Sequence, residues 1–176
     1  MSRHFISYLI TPLIICAVAL SCVNPFAPKV TDTLKLSELI TQQKTPEEVL
    51  TNFKYAYTFK DSTLYSNLLD SSFVFVYFDP NSGTSGRFVS WGRSEDLRTT
   101  GKLFRSFTVI DLTWNSTIYA IQDSIAGLAE SSKSFRLSLV NDQESITIGG
   151  TAVFSFKRDP KEDMWRITRW KDESDL

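Results

Sequence analysis

The side chains with the widest chemical reach are crowded at the start of this 176-residue chain: its one histidine is His4, and its two cysteines are Cys16 and Cys22. Residues beyond Cys22 therefore hold no imidazole base, no thiol nucleophile, no disulfide pair and no ordinary zinc shell. What remains there for proton transfer is carboxyl, phenol and amine, each far from a working pKa unless the fold moves it. No metal and no cofactor is implied. Asn141, Asp142 and Glu144 offer oxygens of the kind calcium takes, but their clustering reads as a polar hairpin turn.

The position of Cys22 is itself informative. Residues 1–22 read MSRHFISYLITPLIICAVALSC, with Arg3 ahead of an apolar stretch that ends in small residues. This is the layout of an export signal, and it is too short and lopsided for a membrane span, which needs about 20 apolar residues. Ala19-Leu20-Ser21-Cys22 resembles a bacterial lipobox, with Ala19 where Leu is more usual. That resemblance implies removal of residues 1–21, lipidation of Cys22 and attachment to a membrane of the cell envelope. Buried CH₂ groups contribute about 0.8 kcal/mol each, so two or three acyl chains hold a protein firmly. Val23 and Asn24 follow, with no Asp directly after the cysteine, which resembles the class destined for the outer rather than the inner membrane.

Residues 22–44 carry Pro25 and Pro28 and little apolar periodicity, and are expected to form a tether with one helical turn near residues 34–40. Residues 45–176 are of a size for one domain with one core. Charge is nearly balanced, 19 Lys and Arg against 20 Asp and Glu, and the cations are scattered. A nucleic-acid partner is not expected, because phosphate tracking needs a basic face.

Within that domain Thr45-Pro46-Glu47-Glu48 reads as a capping box with proline at the first helical position. Val49, Leu50, Phe53, Ala56 and Tyr57 follow at helical spacing, which predicts a helix with one apolar face. Ser62 is expected to cap a second short helix over residues 63–69, and Ser94 a third over residues 95–104. Residues 73–78 predict a strand. Further strands are expected over residues 108–115, 117–122, 134–140, 145–158 and 164–171, with a bulge at Gly149-Gly150. The class is α+β. Trp165 and Trp170 differ by five positions, which in a regular strand places them on opposite faces, one of them free to meet a second subunit.

Laid out this way, residues 45–172 resemble the NTF2-like superfamily, which includes SnoaL-like and ketosteroid-isomerase-like proteins. The likeness rests on the TPEEVLTNFKYAYTFKDSTLYSNLL helical pair, the FVFVYFD strand, the WGRSEDLRTTGKLF helix and the closing WRITRWKDE strand. It implies a curved antiparallel sheet wrapped around helices as a cone, with a cavity at its mouth. Enzymes of this kind often use a His-Asp pair, which this chain lacks past His4, or an Asp base beside a Tyr and a protonated Asp. Tyr55 or Tyr57 with Asp79 or Asp111 has the residue types for the second arrangement. The leading expectation is a non-catalytic lipoprotein domain binding a small apolar ligand or a protein partner, with Phe53, Tyr57, Phe75, Tyr77, Trp91 and Trp114 as pocket candidates. The alternatives are an isomerase or lyase built on Tyr57 with Asp79 or Asp111, and an assembly protein that dimerises through its sheet face.

Overall fold

Why a helix starts at Pro46 is visible in its first turn. The Thr45 hydroxyl accepts from the Glu48 amide at 3.2 Å, and proline fills a position whose amide would go unused. The return bond of the capping box is displaced by one residue, since Glu48 Oε2 accepts from the Lys44 amide at 2.8 Å. The computed structural model describes residues 36–174. The leader, Cys22 and the first part of the tether lie outside the described residues. One helical turn, α1 (Leu36–Leu39), precedes the helix α2 (Pro46–Thr58). No helix among the described residues is long and apolar enough to cross a membrane.

The compact unit begins at Leu39. Thr41 is fastened to it by buried Asn52, whose Oδ1 accepts from the Thr41 amide at 2.8 Å and whose Nδ2 donates to the Thr41 carbonyl at 3.0 Å. Gln43 is fastened in turn to Trp165, by backbone and side chain. These bonds satisfy polar groups that would otherwise be stranded beside the core.

The second helix, α3 (Ser62–Leu68), is capped by Asp61 rather than Ser62: Asp61 Oδ1 accepts from the amides of Thr63 and Leu64, both at 2.9 Å. The carboxylate sits one residue earlier and reaches two orphan donors at once. Strand β1 (Leu69–Asp79) follows without a loop, then β2 (Arg87–Gly92), within a stretch that reads as loop in the sequence. Its six residues, with Phe88 and Val89 adjacent, carry no clean alternation of their own, and pairing with β1 is what makes them a strand. Helix α4 (Arg93–Ser106) starts after Gly92 with no side-chain cap, so Ser94 lies inside it. Arg93 turns back instead, and its Nη2 donates to the Ser66 carbonyl at 2.8 Å near the end of α3.

Strands β3 (Val109–Asp123), β4 (Leu128–Val140), β5 (Ser145–Asp159) and β6 (Met164–Ser174) complete the sheet. The two strands expected over residues 108–122 are one strand, interrupted by register shifts after Trp114 and Thr117. The polar first half of β4 carries no apolar pattern and is held as strand by β3 on one side and β5 on the other. Gly149-Gly150 is no bulge, because both pair in register with β4. A Cβ at Gly150 would run into the Ser174 backbone and stand 2.7 Å from the Glu173 carbonyl oxygen, so glycine is required here by close approach.

The strand order is β2-β1-β6-β5-β4-β3. Every junction is antiparallel except β1 with β6, which is parallel. The expected all-antiparallel sheet is thus mixed: β1 and β6 come from opposite ends of the domain, and the long connection between them lets β6 enter alongside β1 in the same direction.

Helix α2 lies in the hollow of this one curved sheet. Its buried face is Val49, Leu50, Asn52, Phe53, Ala56 and Tyr57, the apolar stripe read from spacing plus one amide. Phe53 is the centre of the core, with ring centroids of Trp114 on β3, Phe154 on β5 and Trp170 on β6 at 5.8, 5.6 and 5.4 Å. Trp165 and Trp170 both face inward, against the sequence expectation. Ser155 pairs with Arg169 while Phe156 pairs with Ile167, so Thr168 is an extra residue that reverses the alternation.

Candidate functional site

Inside the cone the aromatic cluster holds one polar knot. Trp91 at the end of β2 donates its Nε1 hydrogen to Asp96 Oδ1 at 3.1 Å, and Tyr65 on α3 donates its hydroxyl to Asp96 Oδ2 at 2.7 Å. Asp96 lies in the first turn of α4, where the helix dipole favours a negative charge. Burial raises the Asp96 pKa, and the two donors pull it back toward the ionised form. Tyr65 and Tyr57 are driven well above the ordinary phenol value, first by burial and further by the charge of Asp96. Both rings are closed from water, so at neutral pH they are hydrogen-bonding phenols and not bases.

A second carboxylate, Asp172 near the end of β6, stands where this interior meets the open end of the cone. Its Oδ2 accepts from Ser174 Oγ at 3.1 Å, while Oδ1 is buried without a partner among the described residues. Burial raises its pKa. Trp170 Nε1, two residues earlier on β6, is likewise buried and unpartnered. Outside Asp172 opens a cavity of about 610 Å³ walled by Tyr77, Phe78 and Phe88, with the turn of Asp79, Pro80 and Asn81 overhanging it. Phe75 stacks on Tyr77 and on Trp91, which also meet each other at 5.1 Å, and Trp170 meets the edge of Phe75 at 4.8 Å, so an aromatic layer leads from the cavity wall down to the Asp96 knot. Such a place suits an apolar body with one polar group.

Of the residues singled out by type, Tyr77 lines the cavity and Trp91 lies behind it. Phe53, Tyr57, Phe75 and Trp114 are core packing, and Trp114 Nε1 donates to the Leu50 carbonyl at 3.0 Å. Tyr55 stacks loosely on Phe59. Asp79 caps its own turn, accepting from the Asn81 amide at 2.9 Å, and Asp111 is exposed on β3. Neither is a buried carboxylate beside Tyr57. Asn141 Oδ1 accepts from the amides of Gln143 and Glu144, which makes that cluster the β4–β5 turn. The carboxylates that do approach Tyr57 are Asp96 and Asp172. In sequence Asp96 is an ordinary acidic residue at a helix start and Asp172 part of a charged tail. The pairing of Asp96 with a tryptophan five residues upstream was the one available hint.

No protein-family model and no curated protein matches this sequence. Solved structures do. A conserved protein from Planctomyces limnophilus superposes with a TM-score of 0.61 at 15% identity, covering 73% of this chain and 91% of the other. An NTF2-like superfamily protein from Salmonella enterica gives 0.56 at 15% identity over 70% and 84% of the two chains. A member of the NTF2-like family from Streptomyces avermitilis gives 0.54 at 16% identity over 70% and 88%. With helix α2 in the hollow of one bent six-stranded sheet, the chain has the NTF2-like α+β cone fold.

Proposed function

We propose that this chain is a cell-envelope lipoprotein, anchored through Cys22, whose NTF2-like domain binds a small and largely apolar ligand at the open end of its cone without turning it over. The observation that carries the reading is the cavity of about 610 Å³ walled by Tyr77, Phe78 and Phe88 with Asp172 at its inner edge. Aromatic walls supply contact area at low entropic cost, and the unpartnered Asp172 oxygen favours a ligand bearing one hydrogen-bond donor. Isomerase chemistry on Tyr57 is less well supported, because its hydroxyl is sealed beneath Phe53, Tyr65 and Phe104. A substrate would have to displace the core to reach it.

Native mass spectrometry of the mature protein, extracted from its host in mild detergent, tests the reading. It should show diacylglycerol mass on Cys22 and a separate non-covalent adduct. Phe78→Ala with Phe88→Ala should abolish the adduct and leave the acyl mass, whereas Phe59→Ala, at an exposed site on another element, should leave both. An adduct-free protein, or an adduct that survives the double substitution, overturns the binding proposal. A missing acyl mass overturns the anchor.

A further inference from the structure

Several apolar side chains are left in water, and three of them share one turn. Ile121, Ile125 and Leu128 at the β3–β4 turn are 66%, 101% and 51% exposed. That turn is fastened to its neighbour by the Arg158 amide, which donates to the Gly127 carbonyl at 2.8 Å. The neighbouring β5–β6 turn carries exposed Lys157, Pro160 and Lys161, and the two lysines enter no ion pair among the described residues. Gln43 and Lys44, just ahead of α2, are also held at this end of the sheet. The Gln43 carbonyl accepts from the Trp165 amide at 2.8 Å, and Lys44 Nζ donates to the Asp163 carbonyl at 3.0 Å. The residues just ahead of α2 thus lie beside the pair of turns that bears the apolar tip.

We propose that the paired β3–β4 and β5–β6 turns form a bilayer-docking tip, in which Ile125 and Leu128 enter the headgroup region while Lys157 and Lys161 face anionic lipid phosphates. The proposal rests on the lipid-anchor reading, because a tether alone leaves orientation free and the tip sets it. Apolar side chains beside cations are the combination that favours the interface over water, through transfer of CH₂ groups and attraction to anionic headgroups. Docking would point the cavity beside Asp172, at the other end of β6, away from the membrane and toward soluble ligand.

The test uses the full mature lipidated protein in vesicles of phosphatidylethanolamine and phosphatidylglycerol, with Ile125→Cys labelled by an environment-sensitive nitrobenzoxadiazole dye. A blue shift is expected, with quenching by lipids spin-labelled near the headgroup. The same dye at Phe59→Cys, at the far end of α2 and about 20 Å from its first residue, should stay unquenched. Moving the dye to Ser124→Cys and adding Ile125→Asp should cut the quenched fraction about tenfold. An unquenched Ile125 probe on protein that still sediments with vesicles overturns docking and leaves the anchor standing. An unacylated Cys22 peptide in the same sample overturns the anchor, and adding vesicles to that protein then reads docking separately. A blue shift that follows protein concentration instead of lipid assigns the tip to a second copy and overturns the proposal.

Discussion

The bond between Tyr65 and Asp96 can be removed by deleting one oxygen. In Tyr65→Phe the ring still packs on Phe53 and Tyr57, but Asp96 Oδ2 loses its donor and the carboxylate keeps Trp91 alone. A hydrogen bond to a charged group contributes about 1.5–3 kcal/mol net, and stranding a buried oxygen moves the cost toward the upper end, so about 2–3 kcal/mol is expected. With a urea slope of about 1–3 kcal/mol per molar for a domain of this size, the midpoint should fall by about 1 M or more, read from tryptophan emission. The pH dependence is the sharper part. Burial raises the folded pKa of Asp96 above its ordinary 3.8, and the Tyr65 bond opposes that rise, so removing the bond raises the folded pKa further. A carboxyl that holds its proton more tightly when folded helps stability most below its unfolded pKa. That help is lost as pH climbs through the folded value. The variant must therefore lose more at neutral pH than near pH 3.8, and adding Asp96→Asn should recover part of the loss because a neutral amide tolerates a missing donor better. A deficit below about 0.5 kcal/mol, or one equal at both ends of the range, refutes a charged Asp96 held by Tyr65.

Deleting Thr168 removes the extra residue of β6 and leaves Trp165 and Trp170 four positions apart, so a regular strand still turns both inward and tryptophan emission should stay blue; a red shift would contradict the parity argument. Gly150→Ala forces a methyl group against the Ser174 backbone and should cost about 1–3 kcal/mol, with amide exchange accelerating first in residues 172–174; unaltered exchange there would show that the close approach relaxes freely.

Local signals in this chain were legible wherever one residue's chemistry decides. Thr45 and Pro46 announced the start of α2, and the spacing of Val49, Leu50, Phe53, Ala56 and Tyr57 named its buried face, because a helix reads only its own period. The missing histidine and cysteine beyond Cys22 removed whole classes of catalyst by counting alone. Whatever depends on partners was not legible. β2 and the first half of β4 are strands because neighbours supply their hydrogen bonds, and Trp170 faces inward because one bulge reverses a parity that sequence spacing assumes constant. Asp96 and Asp172 look like surface acids in a string of letters. Only a curved sheet closing over α2 takes them out of water, and loss of hydration is what separates a buried carboxylate from a solvated one.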